Sequence, residues 1–128
     1  MNDLARAAES PWQDYSILVV DDEPGMASFL LRALTPRCGA VHAAASVEEA
    51  RPLLGRHRYD LIVLDIALPD MSGFDVAEQV PPEIAVVLVS SRSHDQVGAR
   101  ARSCGARGFI PKDALTGAAL EALLGEPA

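Results

Sequence analysis

Four places in this 128-residue sequence carry side chains that could do chemistry together. Asp21 and Asp22 stand side by side behind Ile17–Val20, and Asp65 stands behind Leu61–Leu64. Ser90 and Ser91 follow Ile84–Val89, and Lys112 follows Gly108–Pro111. Each site closes a short apolar run. One Asp in such a place is ordinary, because loops favour Asp; four coincident run ends are harder to dismiss. Carboxylates gathered together repel unless a hard cation neutralises them, and Mg²⁺ takes a few carboxylates plus water. Lys112 is the only lysine, against ten arginines. A compact ammonium there can pair with a carboxylate and, once one arrives, with a phosphoryl group. Carboxylates, Mg²⁺, a hydroxyl and an ammonium around one anion are the equipment of phosphoryl transfer, where catalysis is mainly positioning and charge neutralisation. Zinc is disfavoured: His42, His57 and His94 lack ligand spacing and read as scattered surface or helix residues.

The elements that must position these groups can be read from periodicity. Ile17–Val20, Leu61–Leu64 and Ile84–Val89 are short and apolar on both faces, with weaker runs at Val41–Ala45 and Gly108–Pro111; buried parallel strands require this pattern. Met26, Phe29, Leu30, Ala33 and Leu34 follow helical spacing and stop before Pro36. Ser46 suits an N-cap for a helix over Val47–Leu54, and Leu115, Ala118, Ala119, Ala122 and Leu123 repeat an apolar stripe. Gly73–Gln79 reads as a short helix stopped by Pro81-Pro82, and Asp95–Cys104 as one with a thin apolar face. The order is β-α five times over, which predicts a parallel sheet between helices. In such sheets ligands bind outside the carboxyl ends of the strands, and all four chemical sites fall there.

Length and composition bound the rest. The chain is long enough for one domain, with residues 1–15 as an extension, 16–125 as the domain and 126–128 as a tail. Trp12, in the extension, reads as cover for an apolar patch. Eighteen acidic against eleven basic residues give a net charge of −7, opposite to what general attraction to duplex DNA needs. Hydrophobic residues make up 49% but aromatics 5%, so the core is aliphatic. The longest apolar run, Ile84–Val89, is too short to span a bilayer, and the N-terminus lacks a basic-then-apolar secretory pattern. Cys38 and Cys104 are far apart, without a CxxC, and read as reduced thiols in a cytoplasmic protein.

Val19-Val20-Asp21-Asp22-Glu23-Pro24, Asp65-Ile66-Ala67-Leu68-Pro69-Asp70-Met71-Ser72-Gly73, Leu88-Val89-Ser90-Ser91 and Gly108-Phe109-Ile110-Pro111-Lys112 together resemble the response-regulator receiver domains of two-component signalling. The resemblance covers residues 16–124. It implies an α/β, flavodoxin-like (βα)5 three-layer sandwich with strand order 2-1-3-4-5. It also implies Asp65 as phosphoacceptor from the phosphohistidine of a sensor histidine kinase or phosphotransfer protein. Mg²⁺ would be held by Asp21, Asp22, Asp65 and the backbone carbonyl of Ala67. Ser90 and Lys112 would hold phosphoryl oxygens, and Ser90 and Phe109 would form the switch that alters the face of the fourth helix, fifth strand and fifth helix toward a downstream protein effector or a second protomer. No direct contact with nucleic acid or membrane is implied.

Some residues depart from the family pattern. The usual Lys-Pro is Lys112-Asp113, as in receivers that carry a helix-turn-helix output domain, and Phe109 stands for the commoner tyrosine, so the switch must work by packing. Ala67 and Arg92 occupy the family's variable positions that tune dephosphorylation. Ala128 falls a few residues after the last helix, leaving either a stand-alone receiver or a piece of a longer regulator. The competing reading is a receiver-like interaction module regulated without phosphorylation. An aspartyl phosphatase would want an acid where Ala67 stands. Arg92, Arg100, Arg102 and Arg107 read either as a solvated helix face or as a docking surface for an acidic partner or dimer.

Overall fold

The runs that are apolar at nearly every position become the middle of a sheet. β3 (Leu61–Asp65) and β4 (Ala85–Ser90) are buried along their whole length, as strands covered on both faces must be. The computed structural model describes residues 14–36, 38–90, 100 and 103–124. In it β1 (Ser16–Val20) pairs with β3, β2 (Ala40–Ala44) lies outside β1, and β5 (Gly108–Pro111) lies outside β4. The strand order is β2-β1-β3-β4-β5 with every pairing parallel, as the resemblance implied. The two weak runs of the sequence are the two edges, where most residues are only half-buried.

Successive residues of a strand face opposite ways, so the sheet has two cores. On one face, Leu30 and Leu34 of α1 (Pro24–Leu34) and Leu120 of α4 (Gly117–Leu124) cover Ile17, Val19, Val63 and Val87. On the other, Val47 and Ala50 of α2 (Val47–Arg56) and Phe74 and Ala77 of α3 (Gly73–Gln79) cover Leu18, Ile62, Leu64 and Leu88. The helix expected over Asp95–Cys104 falls mostly outside the described residues. Its last turn is visible: the Cys104 N–H donates to the Arg100 carbonyl at 3.1 Å. Gly105 then takes φ +91°, a left-handed step that glycine makes without a Cβ penalty.

Several expectations need correction. Phe29, placed in the buried stripe of α1, is 41% exposed; the stripe is centred on Leu30 and Leu34, and a 100° turn carries Phe29 off its flank. α2 runs on to Arg56, past the expected Leu54, and carries Pro52 within it. At the C-terminus Leu115 is buried but precedes the helix. A 3₁₀ turn occupies Lys112–Ala114, and the Thr116 hydroxyl caps α4 by accepting the Ala119 N–H at 3.0 Å. That later start rotates the helix so that Leu120 is buried, while Ala118 and Ala122 are exposed. Nor are His42 and His57 scattered. The His42 and His57 rings lie 4.8 Å apart, and His42 Nδ1 is 2.7 Å from the buried Tyr59 hydroxyl; strand β2 and the end of α2 meet there. His94 and Trp12 lie outside the described residues.

The start of α2 is as the sequence suggests. Ser46 Oγ accepts the Glu49 N–H at 3.1 Å, and Glu49 Oε1 accepts the Ala45 N–H at 3.1 Å, a near relative of the capping box. Ser46→Ala should lower stability by about 1 kcal/mol, read as a lower urea midpoint at unchanged slope.

Candidate functional site

Register alone brings the chemical residues together. Val20 pairs with Leu64, so Asp21 and Asp65 leave neighbouring strands at the same level. Asp65 pairs with Val89 and Ser90 with Pro111, so Ser90 and Lys112 each follow one step further along. Asp21, Asp65 and Ser90 are the buried polar or charged residues of the described chain, while Asp22 points to solvent. One carboxylate oxygen from each of Asp21, Asp22 and Asp65 lies within 4.8 Å of the others.

Lys112 reaches into this group from the far edge. Its Nζ donates to Asp65 Oδ2 at 3.0 Å and to Asp21 Oδ1 at 3.3 Å, and it also pairs with Glu23. Burial alone would pull the ammonium's pKa down. Hydrogen bonds to Glu23 and Asp65 and the charges of Asp21 and Asp65 outweigh it, leaving the pKa raised above the ordinary lysine value. One ammonium still faces three carboxylates, with Asp22 nearby. Burial is the main cause that raises the Asp21 pKa. The Asp65 charge adds to it, and the Glu23 N–H at 2.9 Å and Lys112 pull it back.

A cation fits this site. Asp21 Oδ2 is buried and lies 3.2 Å from the Lys112 ammonium, within ion-pair distance but outside hydrogen-bond geometry. A buried carboxylate oxygen without a hydrogen bond, beside two more carboxylates, can take a metal, and an all-oxygen donor set suits a hard divalent ion.

The loop after β3 is built around a close approach. The Ala67 N–H donates to Asp65 Oδ1 at 3.0 Å. The Ile66 N–H donates to the Val89 carbonyl at 3.0 Å, the Gly73 N–H donates to the Ile66 carbonyl at 2.9 Å, and Ala67 bridges to Ser72. A Cβ on Gly73 would lie 2.5 Å from the Asp65 carbonyl oxygen and 2.8 Å from Ile66 Cα. Only glycine lets α3 start there.

Residues 17–124 match the family model of the response regulator receiver domain. The chain belongs to that family. The receiver is 33% identical over 98 residues to the response regulator PilR of Pseudomonas aeruginosa, a match over 74% of this chain and 22% of that one. It is 34% identical over 82 residues to the transcriptional regulatory protein AfsQ1 of Streptomyces coelicolor, over 62% of this chain and 36% of that one. It thus spans well under half the length of these relatives. Among solved structures, a response regulator from Burkholderia pseudomallei with a phosphorylated aspartic acid, calcium and citrate superposes with a TM-score of 0.77 at 27% identity, over 86% of this chain and 66% of that one. This is a receiver of two-component signalling, and among its described residues no helix is long and apolar enough to cross a membrane.

The remaining residues singled out in the sequence divide as follows. Phe109 is half-buried against the Leu88-side core. Ala67 is exposed beside Asp65. Ser91, Arg92 and Arg102 lie outside the described residues. Arg100, expected on a solvated or docking face, is exposed, and it also stacks over Phe74 at 4.7 Å and lies 3.8 Å from Asp75 on the receiver's own α3. Sequence reading assigned no part to Glu23, Asp70 or Gly73. Glu23 stands at the N-cap of α1, but its side chain makes no cap hydrogen bond and pairs with Lys112 instead, 89 residues away.

Two variants check these contacts. Gly73→Ala should destabilise the receiver by about 1–3 kcal/mol, the usual effect of overpacking. Asp21→Asn should raise the stability of the metal-free protein by about 0.5–2 kcal/mol, as removal of an unfavourable charge commonly does. Urea melts in the presence of a chelator measure both.

Proposed function

We propose that this receiver accepts a phosphoryl group on Asp65 from the phosphohistidine of a sensor histidine kinase or phosphotransfer protein, and that the phosphoryl group changes which protein the receiver contacts. The observation that carries the reading is the convergence of Asp21, Asp22 and Asp65 within 4.8 Å beside the buried ammonium of Lys112. The phosphorylated aspartic acid and the cation in the Burkholderia relative lend it support.

A carboxylate oxygen of Asp65 attacks phosphorus as the bond from phosphorus to the histidine nitrogen breaks, giving an acyl phosphate. The Ala67 N–H fixes the Asp65 carboxylate, and Lys112 already stands 3.0 Å from it. The Lys112 ammonium and the Ser90 hydroxyl take phosphoryl oxygens, so that charge is met by groups already in place. Asp21, Asp22, Asp65 and the Ala67 carbonyl are the residues that would hold Mg²⁺. When bound, it offsets the carboxylates' repulsion and draws charge from the phosphoryl oxygens. Hydrolysis of the acyl phosphate returns the receiver to rest, so its chemistry acts on itself and not on a small substrate.

The output follows from packing. Ser90 moves toward the phosphoryl group, Phe109 turns into the vacated space, and the face that includes β5 and the C-terminal helix changes. That face meets a downstream effector or a second protomer, with no direct contact with nucleic acid or membrane, in the cytoplasm where the kinase presents its phosphohistidine. Such a change is a shift between two populated packings biased by a local charge.

Incubation with Mg²⁺ and acetyl phosphate, followed by intact mass measurement, tests the reading. One phosphoryl group should appear on the wild type and none on Asp65→Asn, and prior chelation of Mg²⁺ should abolish the adduct. An unmodified wild type that also fails to bind beryllofluoride would favour an interaction module that works without phosphorylation.

A further inference from the structure

We propose that Asp70 is a positioning residue for the acceptor loop: its carboxylate ties the tip of the loop after Asp65 to the N-terminus of α2, and so fixes Ala67 and the Asp65 carboxylate. The inference rests on the phosphoryl-acceptor reading above and adds to it a residue outside the reacting set.

Asp70 Oδ2 accepts the Glu48 N–H at 3.0 Å, and Asp70 Oδ1 accepts the Val47 N–H at 3.2 Å. These are two of the four backbone donors that a helix start leaves without an internal partner. A third, the Glu49 N–H, is already accepted by Ser46. α2 therefore has its own local cap, and the second acceptor comes from 22 residues further along the chain. The positive end of the helix favours a carboxylate there. Desolvation opposes the charge. The N–H groups of Glu48, Val47 and Asp70 itself, with the charge of Arg51, outweigh it and hold the Asp70 carboxyl below its ordinary range. Both oxygens are thus ionised acceptors at neutral pH.

The loop's need for an anchor is visible in its other contacts. Its base is fixed where Ile66 meets Val89, where Gly73 meets Ile66 and where Ala67 bridges to Ser72. Leu68 is buried. Pro69 and Asp70, at the tip, are exposed, and the two bonds of Asp70 tie that tip to another element. Ala67 lies between base and tip. Its N–H holds Asp65 Oδ1, and its carbonyl belongs to the proposed cation site. A tip free to swing would carry Ala67 with it, and misplacement by about an ångström can cost a reaction up to a hundredfold.

A plain helix cap and a positioning residue make different predictions, and Ser46→Ala separates them, because it removes a cap from the same helix without touching the loop. Wild type, Asp70→Ala, Asp70→Asn and Ser46→Ala would be compared well below their melting midpoints. The readouts are the rate of phosphorylation by saturating acetyl phosphate with Mg²⁺, by intact mass, and amide hydrogen exchange of residues 66–72 with no phosphodonor present. Asp70→Ala should phosphorylate about tenfold or more slowly and exchange faster at Ala67. Asp70→Asn, which keeps one acceptor oxygen, should fall between it and the wild type. Ser46→Ala should melt lower yet phosphorylate within about twofold of the wild type. Equal rates and equal loop exchange in Asp70→Ala and Ser46→Ala would overturn the proposal while leaving the acceptor reading intact. A wild type that takes no phosphoryl group would overturn the acceptor reading, and this one with it.

Discussion

Mutual repulsion of carboxylates at the carboxyl edge of the sheet is the constraint around which this receiver is arranged. Asp21 and Asp65 are buried next to each other because β1 and β3 are neighbours in register, which holds their backbones side by side while both strands stay paired. Burying a charge is tolerated when it is paired and hydrogen-bonded. Lys112 does both for Asp65 and half of both for Asp21, leaving one oxygen of Asp21 without a hydrogen bond. The fold therefore holds a site whose charge is unbalanced by design of its topology, and a cation or a rearranged ammonium changes its energy directly.

Keeping that site open falls to the backbone as much as to the side chains. The absence of a Cβ at Gly73 lets α3 begin in contact with the Asp65 carbonyl. The chain can then leave the acceptor, turn and return within eight residues. The Ala67 N–H, a main-chain group, orients the acceptor carboxylate. Because these contacts are backbone to backbone or backbone to carboxylate, the identity of Ile66 or Leu68 matters only for packing, whereas Gly73 admits no larger residue without a shift.

Periodicity recovered the parallel β-α sheet because it rests on strong local signals, whereas the order of its strands came from the family resemblance. β3 and β4 are continuous apolar runs, and the acidic pair, the lone Asp and the lone lysine each close a run. The same reasoning was weaker where tertiary contacts decide. Leu115 looked like the first member of a helical stripe because its spacing to Ala118 and Ala119 is helical. It instead ends the 3₁₀ turn over Lys112–Ala114 and is buried ahead of the helix. His42 and His57 looked unrelated because nothing local shows that β2 and the end of α2 converge on Tyr59. Glu23 and Asp70 were quoted within motifs without a part to play, since their partners are 89 and 22 residues away. The signal for Glu23 was an acidic residue at an N-cap beside two others; what it could not give was the direction of the side chain.

Glu23 also shows how the resting arrangement can give way. Of the three carboxylates on Lys112, those of Asp21 and Asp65 are nearly inaccessible, while that of Glu23 is 60% exposed. An exposed ion pair contributes about 0–1 kcal/mol, because water competes for both partners. A hydrogen-bonded pair away from water is far costlier to break, since it leaves an uncompensated charge behind. When a new anion is bonded to Asp65, the contact to Glu23 is therefore the one that Lys112 gives up at least cost. The ammonium need not travel far, because it already touches Asp65. A ligand shifts an equilibrium only by the difference in its interactions with the two states. Here that difference is the replacement of a solvated carboxylate by a phosphoryl group held inside the site, next to Ser90 and three residues along the chain from Phe109.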